Sequence, residues 1–557
     1  MQQKTDQTNP DLDPVLLEII WSRLIAICDQ SAATLTRTAF STLIRECNDY
    51  TCVLLDKQGD SLAENQGTAG SFAGCLPRTM RIILDLMPLD SWFPGDVVIT
   101  NDPWIGTGHK PDVVIIKPVF SQNRIVGFAA NVAHWADISG TIWSASCNSV
   151  FEEGIMIPPT KIFNQGILNK SLMDFIEGNV RLPKQVSGDF FAQIASLEKC
   201  ADLLIELLDE YQLPDLQEIS KELQSRAEAS MRLAIKKIPN GKYESYLDLD
   251  GFENVPLHIK CTVEVMDDHI IVDYGGSSPQ TNTGGINCVP AYTAAWTAYT
   301  LKSILDPQTY KNEGSYKPFS IKIPEGSILN ATYPAPVNAR QLVGRCVCSS
   351  VLIALQSIIP TKVIADSGSN PDLMCTFYGK GLNEEPFVFV LCIHGGMGAS
   401  AHGDGISCSG FPANSGSTPI EMMESNAPLI AWKREIRTDS GGPGKYRGGY
   451  GQELILEMTG NHQIELAMLS ERVNYKAQGF SGGLSGSGYQ LGWIDSDQAL
   501  PSKGLLQVKN GEFLHFITAG GGGFGNPSDR SPTAVVQDLK DEIISETSAT
   551  EDYKIQT

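Results

Sequence analysis

Two short polar stretches hold the residue types from which a metal centre is built. Residues 101–112 read NDPWIGTGHKPD and residues 131–140 read NVAHWADISG, and they contain two of the chain's eight histidines, His109 and His134. Two imidazoles with one or two carboxylates suit a divalent ion of borderline softness and leave positions open for water. A water held in this way can act as a nucleophile near neutral pH. Solvated or hydrogen-bonded loop histidines fit the same spacing, because His-x-x-Asp is a short and common pattern.

The intervening segments decide whether the two stretches can meet. Pro111 keeps residues 109–112 out of a helix interior. Residues 113–120 and 124–134 are rich in Val, Ile and Phe and read as two strands joined at SQNR. A two-residue turn closed by Ser121 and Arg124 sets Pro111 opposite His134, whereas a three-residue loop sets Asp112 there. Opposed residues have Cβ atoms about 4.5–5.5 Å apart. Either register brings His134 beside the His109–Asp112 stretch.

At 557 residues the chain is expected to divide into two to four structural units. Its 42% hydrophobic and 19% charged content is that of a globular protein. A formal net charge of −22, with no block of Lys and Arg, argues against nucleic acid and anionic membrane as partners. The opening MQQKTDQTNPDLDP lacks an apolar signal core, and no apolar run approaches the ~20 residues of a membrane helix. Thirteen cysteines without a CxxC pair point to reduced, partly buried thiols in a cytoplasmic protein.

The pattern predicts an α+β fold of mixed sheets. A polar tail at 1–13 precedes an N-terminal α+β block, 14–187, that carries the candidate metal site and opens with a helix over 14–45. Further readings are a hairpin turning at Gln58-Gly59, a helix at 78–87, and a helical hairpin over 188–237 broken near Pro214. A β-rich and glycine-rich remainder, 238–530, contains a helix at 342–358, and a polar C-terminal tail, read as either a mobile, solvated segment or a surface helix, covers 531–557.

Seven ordered stretches carry a resemblance: RECNDYTCVLLDKQG, PGDVVITNDPWIGTGHKPDVVIIKPVF, NVAHWADISG, PAPVNARQLVGR, STPIEMMESNAPL, DSGGPGKYRGGYG and AGGGGFGNP. From about residue 14 to about residue 545 the chain resembles the hydantoinase B/oxoprolinase family, which includes N-methylhydantoinase B-type subunits and relatives among the large subunits of acetone and acetophenone carboxylases. The resemblance implies a metal-dependent subunit working with an A-type ATPase subunit that binds ATP and phosphorylates the substrate carbonyl. A hetero-oligomer such as (αβ)2 follows. By motif position His109, Asp112 and His134 match the family's metal residues, and Asp49 sits where a further carboxylate ligand is expected. The metal is divalent, with Zn, Mn and Fe equally compatible.

The resemblance also suggests that Asp137 orients a histidine or acts as a base, unless it is a hydrogen-bonded turn carboxylate. Departures from the family pattern are Gly108, Lys110 and Trp135, together with GSFAGCLP where the family often has His-x-Gly-Ser-Met. Lys110 and Trp135 are therefore placed in the substrate pocket. Arg340, ahead of a helix, could hold a carboxylate or phosphate or serve as an interface salt bridge.

The glycine clusters lack GxxxxGK[ST] and are read as close backbone packing. His394, His402 and Asp404 form a second cluster, read as a glycine-rich loop rather than a second metal site. The activity implied is ATP-dependent hydrolysis of a cyclic amide. The alternatives are a ketone carboxylase subunit and a non-catalytic paralogue that scaffolds such a complex.

Overall fold

The computed structural model describes residues 13–555 apart from 68, 254 and 382, so the expected polar tail at 1–13 lies outside the described residues except for Asp13. The Asp13 carboxylate accepts from the N–H of Val15 at 3.0 Å and starts helix α1 (Pro14–Thr38). The chain leaves helical geometry at Ala39, earlier than the predicted end at 45, and resumes as α2 (Thr42–Arg45). The cause is tertiary. The buried Asp189 carboxylate accepts from the N–H groups of Phe40 and Ser41 at 2.7 and 3.0 Å, so these amides are satisfied from outside the helix.

The N-terminal sheet contains β1 (Tyr50–Leu55), β2 (Ser61–Glu64), β3 (Val97–Thr100), β4 (Asp112–Ser121), β5 (Arg124–His134), β6 (Thr160–Asn164) and β7 (Ile167–Leu168). Their order is β2-β1-β5-β4-β3-β6-β7, all antiparallel. Helix α3 (Gly70–Leu86) covers one face. On the other, α1 packs with α5 (Pro183–Glu210), which follows α4 (Lys170–Asn179). Alternation along β4 separates the two cores: Val113 and Ile115 pack with Leu24 and Phe190, Val114 and Ile116 with Leu76 and Met80.

The β4–β5 hairpin settles the register. Gln122 and Asn123 form the two-residue turn, with φ of 46° and 66°, and Ser121 pairs with Arg124. A bulge between Val119 and Phe120 then shifts every later pair by one, so Asp112 faces His134. The tight turn and the closer of the two predicted registers therefore coexist.

Helix α6 (Gln217–Ile235) leads into a second sheet, β8 (Gly241–Phe252), β9 (Val255–Met266), β10 (His269–Asp273) and β11 (Phe319–Lys322), in which β10 and β11 run parallel. Between β10 and β11 lie α7 (Pro290–Leu305) and α8 (Glu313–Tyr316). The helix predicted at 342–358 is α9 (Gln341–Gly344) followed by α10 (Cys346–Leu355), with Arg345 between them still in helical backbone (φ −66°, ψ −31°). The largest core joins α7, α10 and β8–β10 to Leu43, Trp143 and Val150 of the N-terminal block. A loop from the first sheet is thus built into the centre of the molecule.

A third sheet holds β12 (Leu373–Lys380) and β13 (Pro386–Ile393) beside 464–469 and 503–508, and a fourth is formed by 429–436, 452–458, 513–517, 490–493 and 496–499. Phe377 and Leu466 of the third pack with Leu456 and Phe516 of the fourth. At one end glycine segments stack backbone on backbone. Gly521 N–H donates to Gly449 at 3.0 Å and Gly522 N–H to Asp366 at 2.8 Å, while a Cβ on Gly396 would fall 1.8 Å from the Gly449 carbonyl oxygen. These clusters are close packing, as their composition predicts.

Of the two readings of the C-terminal segment, residues 531–555 take the helical one. Two helices, 532–540 and 546–551, bury Val535, Ile544, Ala549 and Tyr553 around Tyr450, and Arg530 pairs with Asp404 and Asp538 at 2.7 Å each. Twelve of the thirteen cysteines are buried. Among the described residues no helix is long and apolar enough to cross a membrane.

Candidate metal centre

The site forms where three strand ends meet. Asp112 begins β4, His134 ends β5, and the two are direct partners. His109 lies in the loop entering β4. Asp49 immediately precedes β1, and its carbonyl accepts from the His134 N–H at 3.1 Å. One ligand atom each from His109, Asp112 and His134 lie within 4.8 Å of one another, and all three residues are buried. Asp49 stands outside that set, on the wall of the same cavity of about 20 Å³ with Trp143, Tyr292, Trp296, Arg340, Gln341 and Arg345. That volume admits a single water-sized body.

Two of the three groups, His109 and Asp112, are held from behind. His109 Nδ1 is 2.9 Å from the Asn338 carbonyl oxygen, which fixes the proton on Nδ1 and leaves Nε2 bare. Asp112 Oδ2 accepts from Thr107 Oγ1 at 2.5 Å and from Arg340 Nη2. Arg340 also donates from Nε to the Thr107 carbonyl at 2.7 Å, and its guanidinium lies 4.1 Å over the Tyr292 ring. Gly108 makes room for this clamp: at φ 104°, a Cβ there would sit 2.7 Å from Arg340 Cδ.

Electrostatics favour a cation. Burial, reinforced by Arg340, lowers the pKa of His109, and burial takes His134 down to about 4. Although burial pushes Asp112 up, His109 and Arg340 hold it below the usual carboxylate range. Burial raises Asp49. At neutral pH, Asp112 Oδ1 therefore faces the bare Nε2 of a neutral His109 at 2.9 Å. Neither of these atoms, nor either ring nitrogen of His134, has a hydrogen-bond partner. Buried acceptors converging without a donor cost free energy until a cation joins them. Two nitrogens and a carboxylate oxygen fit a divalent ion with open positions.

Behind this set lies a second layer invisible in the motif. Glu153 Oε1 accepts from the N–H groups of Val337 and Asn338 at 2.5 and 2.9 Å, and Trp143 Nε1 donates to the Asn338 carbonyl at 2.9 Å. Burial pushes Glu153 up to about 7. Arg345 is anchored by Asp372 at 2.8 Å, and His394 Nδ1 lies 2.9 Å from the other Asp372 oxygen. The second cluster expected at 394–404 disperses, since His402 Nε2 contacts the Thr361 carbonyl at 3.0 Å and Asp404 pairs with Arg530.

Three residues expected in the chemistry face elsewhere. Lys110 Nζ donates to the Gly154 carbonyl at 2.6 Å and does not line the His109 cavity. Trp135, one residue beyond His134, projects to the opposite face and donates from Nε1 to Gln193 Oε1 of α5 at 2.8 Å, within the α1–α5 core. Asp137 accepts from the Arg181 guanidinium at 2.8 Å and the Leu182 N–H at 3.3 Å, where the chain enters α5. Trp135 and Asp137 border a second cavity of about 20 Å³ that shares His134 and Trp143 with the first and is also lined by Asn338. Alternation on a strand explains the Trp135 result. Arg340 does reach the centre, but as the partner of Asp112. Gln341, Arg345, Glu153 and Trp143 were not singled out by sequence. The PVNARQLVGR stretch was the one signal for the first two, and it carries no spacing that marks a Gln as functional.

Comparison with known proteins agrees with these features. The hydantoinase B/oxoprolinase family model matches residues 13–527, and the chain belongs to that family. It is 32% identical to the putative B-type subunit of a D-/L-hydantoinase from Pseudomonas sp. (strain NS671), across 98% of this chain and 95% of that one. The crystal structure of ATP-dependent caprolactamase from Pseudomonas jessenii superposes with a TM-score of 0.88 at 26% identity, covering 98% and 97% of the two chains. The nucleotide-free structure of an acetone carboxylase gives 0.86 at 20% identity over 98% and 80%, a likeness of fold.

Proposed function

We propose that this member of the hydantoinase B/oxoprolinase family is the metal-dependent B-type subunit of an ATP-dependent cyclic-amide hydrolase, with a cytoplasmic A-type ATPase subunit as its partner. The partner binds ATP and phosphorylates the amide oxygen. Water then attacks the activated ring carbon at the His109–Asp112–His134 centre, and the C–N bond breaks with the amine nitrogen taking the proton. The ring thus opens to an acyl phosphate, and a second water hydrolyses that acyl phosphate to carboxylate and phosphate. An unactivated amide resists water, whereas phosphorylation makes the ring carbon electrophilic and the acyl phosphate formed on ring opening carries a good leaving group. The observation that carries the reading is the buried convergence of His109, Asp112 and His134 within 4.8 Å.

A divalent ion held by His109, Asp112 and His134, with Asp49 beside it, would supply Lewis acidity and a water reactive at neutral pH. The residues around it orient and exclude. Asn338 sets the His109 tautomer, Thr107 and Arg340 fix the Asp112 carboxylate, and Trp143, Tyr292 and Trp296 wall off bulk water. The hydantoinase subunit and the caprolactamase stand at higher identity to this chain than the carboxylase does, which favours hydrolysis over carboxylation.

Co-purification with the A-type partner and a screen of cyclic amides and ketones tests the proposal. Cyclic amides should stimulate ATP hydrolysis and be consumed, and His109→Ala in this chain should abolish ring opening. Stimulation by ketones alone, or full ring opening by the His109→Ala complex, would overturn it.

A further inference from the structure

A metal accounts for the orphaned atoms of His109, Asp112 and His134 but not for Gln341. This residue is 2% exposed and lines the same cavity, and neither Oε1 nor Nε2 of its carboxamide has a hydrogen-bond partner. Among the described residues the other buried carboxamides have at least one engaged atom, Asn312 and Asn370 each keeping one partner. Asn101 donates to the carbonyls of Lys110 and Ile155 and accepts from Ile157 N–H, while Gln193 bonds Trp135, Val113 and Asn131. Buried polar atoms are rarely left without partners, and an orphaned pair beside a reaction centre asks for a ligand. The position is also braced, because Gln341 follows Arg340, which is clamped to Thr107 and Asp112.

A carboxamide presents one donor and one acceptor side by side. Its complement is a group with acceptor and donor on the same edge. A small ring forces its amide into the cis form, placing C=O and N–H together on one edge, as in a lactam or a hydantoin. A ketone offers the acceptor alone, and an open-chain secondary amide is trans, with the two groups on opposite sides.

We propose that Gln341 reads the cis-amide edge of the ring, Nε2 donating to the carbonyl oxygen and Oε1 accepting from the ring N–H. It thereby makes this centre selective for cyclic amides with a free N–H. When the amide oxygen is phosphorylated the ring nitrogen changes from donor to acceptor, and Nε2 of a carboxamide turned about its terminal bond donates to it, the ester oxygen no longer being paired by Gln341. A cavity of about 400 Å³, lined by Gly67, Tyr299 and Asn414, shares no lining residue with the small one, and the two linings come close in sequence at Trp296 and Tyr299 and at Ala413 and Asn414. Trp296 faces the small cavity and Tyr299, one turn on along α7, faces the large one. This inference rests on the cyclic-amide reading and deepens it.

Calorimetry on the full chain, loaded with Zn²⁺ or Mn²⁺, provides the test. The probes are 2-pyrrolidinone, its N-methyl derivative and cyclopentanone. Wild type should bind the free lactam at least about tenfold more tightly than either analogue, because both leave Oε1 unpaired. In Gln341→Leu that preference should vanish, with the melting temperature showing that the variant is folded. In the complex with the partner subunit, the variant should raise KM for the lactam more than it lowers kcat. Equal binding of all three probes by wild type, no lactam binding at all, or selectivity that survives in Gln341→Leu would each overturn the inference. The wild-type comparison stands even if the variant fails to fold. If lactams are hydrolysed with unchanged KM by Gln341→Leu, the inference fails while the hydrolase reading holds. If lactams bind selectively but never stimulate ATP hydrolysis, the hydrolase reading fails instead.

Discussion

His109 Nε2 and Asp112 Oδ1 stand 2.9 Å apart, three residues from each other in sequence and sealed from solvent, with no donor between them. The pair is poised for a cation. We expect the purified chain to hold about one divalent ion, measured by elemental analysis, and His109→Ala to hold less than about a tenth of that. Chelation should lower the melting temperature, since an ion at a hundredfold excess over its Kd contributes about 2.7 kcal/mol.

The clamp on Asp112 makes a finer prediction. Thr107→Val removes the 2.5 Å hydrogen bond to Asp112 Oδ2 without changing side-chain shape much. Metal affinity should fall by roughly tenfold, the usual scale for a lost outer-shell partner. An unchanged affinity in competition with a chromophoric chelator would show that Arg340 alone orients the carboxylate.

Glu153 predicts a pH dependence. Burial raises it to about 7, above the ordinary carboxyl value of about 4.3, so the folded chain binds the proton more tightly than the unfolded one. Its contribution is fully present below pH ~4.3 and is lost as pH rises through 7, of order 3 kcal/mol. In Glu153→Gln that component of the slope should disappear, leaving the variant relatively more stable at pH 8. Urea midpoints across this pH range measure it.

Trp135 stands in the α1–α5 core and donates to Gln193 at 2.8 Å. Trp135→Phe should therefore cost about 1–3 kcal/mol in stability. KM for the ring substrate should be unchanged. A KM effect without a stability effect would return Trp135 to the substrate pocket.

Two glycines separate close packing from flexibility. A Cβ on Gly396 would lie 1.8 Å from the Gly449 carbonyl oxygen, whereas Gly178 in α4 has nothing within 4 Å. Gly396→Ala should destabilise by more than about 3 kcal/mol or prevent folding. Gly178→Ala should stabilise by about 0.5 kcal/mol. Denaturation midpoints of the two variants decide it.

Much of this was legible in the sequence because it is local. Strand alternation and the SQNR turn predicted that β4 and β5 bring His134 beside the His109–Asp112 stretch, and the glycine clusters predicted tight backbone packing. The remainder depended on contacts between distant segments. A single bulge at Val119–Phe120 chose between two registers that the sequence allowed equally. Asp189, far along the chain, ended α1 at Thr38 although its apolar spacing continues. The sparse apolar residues after Arg530 close on Tyr450, a partner no local pattern reveals.

The sequence by itself determined which residue types could bind a metal and that two of the segments carrying them could meet. Only the tertiary structure decided the roles around them. It turned Trp135 and Asp137 toward α5, made Arg340 a clamp on Asp112, and aimed an unpaired Gln341 into the cavity. The reason is physical: periodicity fixes the face of an element on which a side chain lies, whereas its partners across the core come from segments hundreds of residues away.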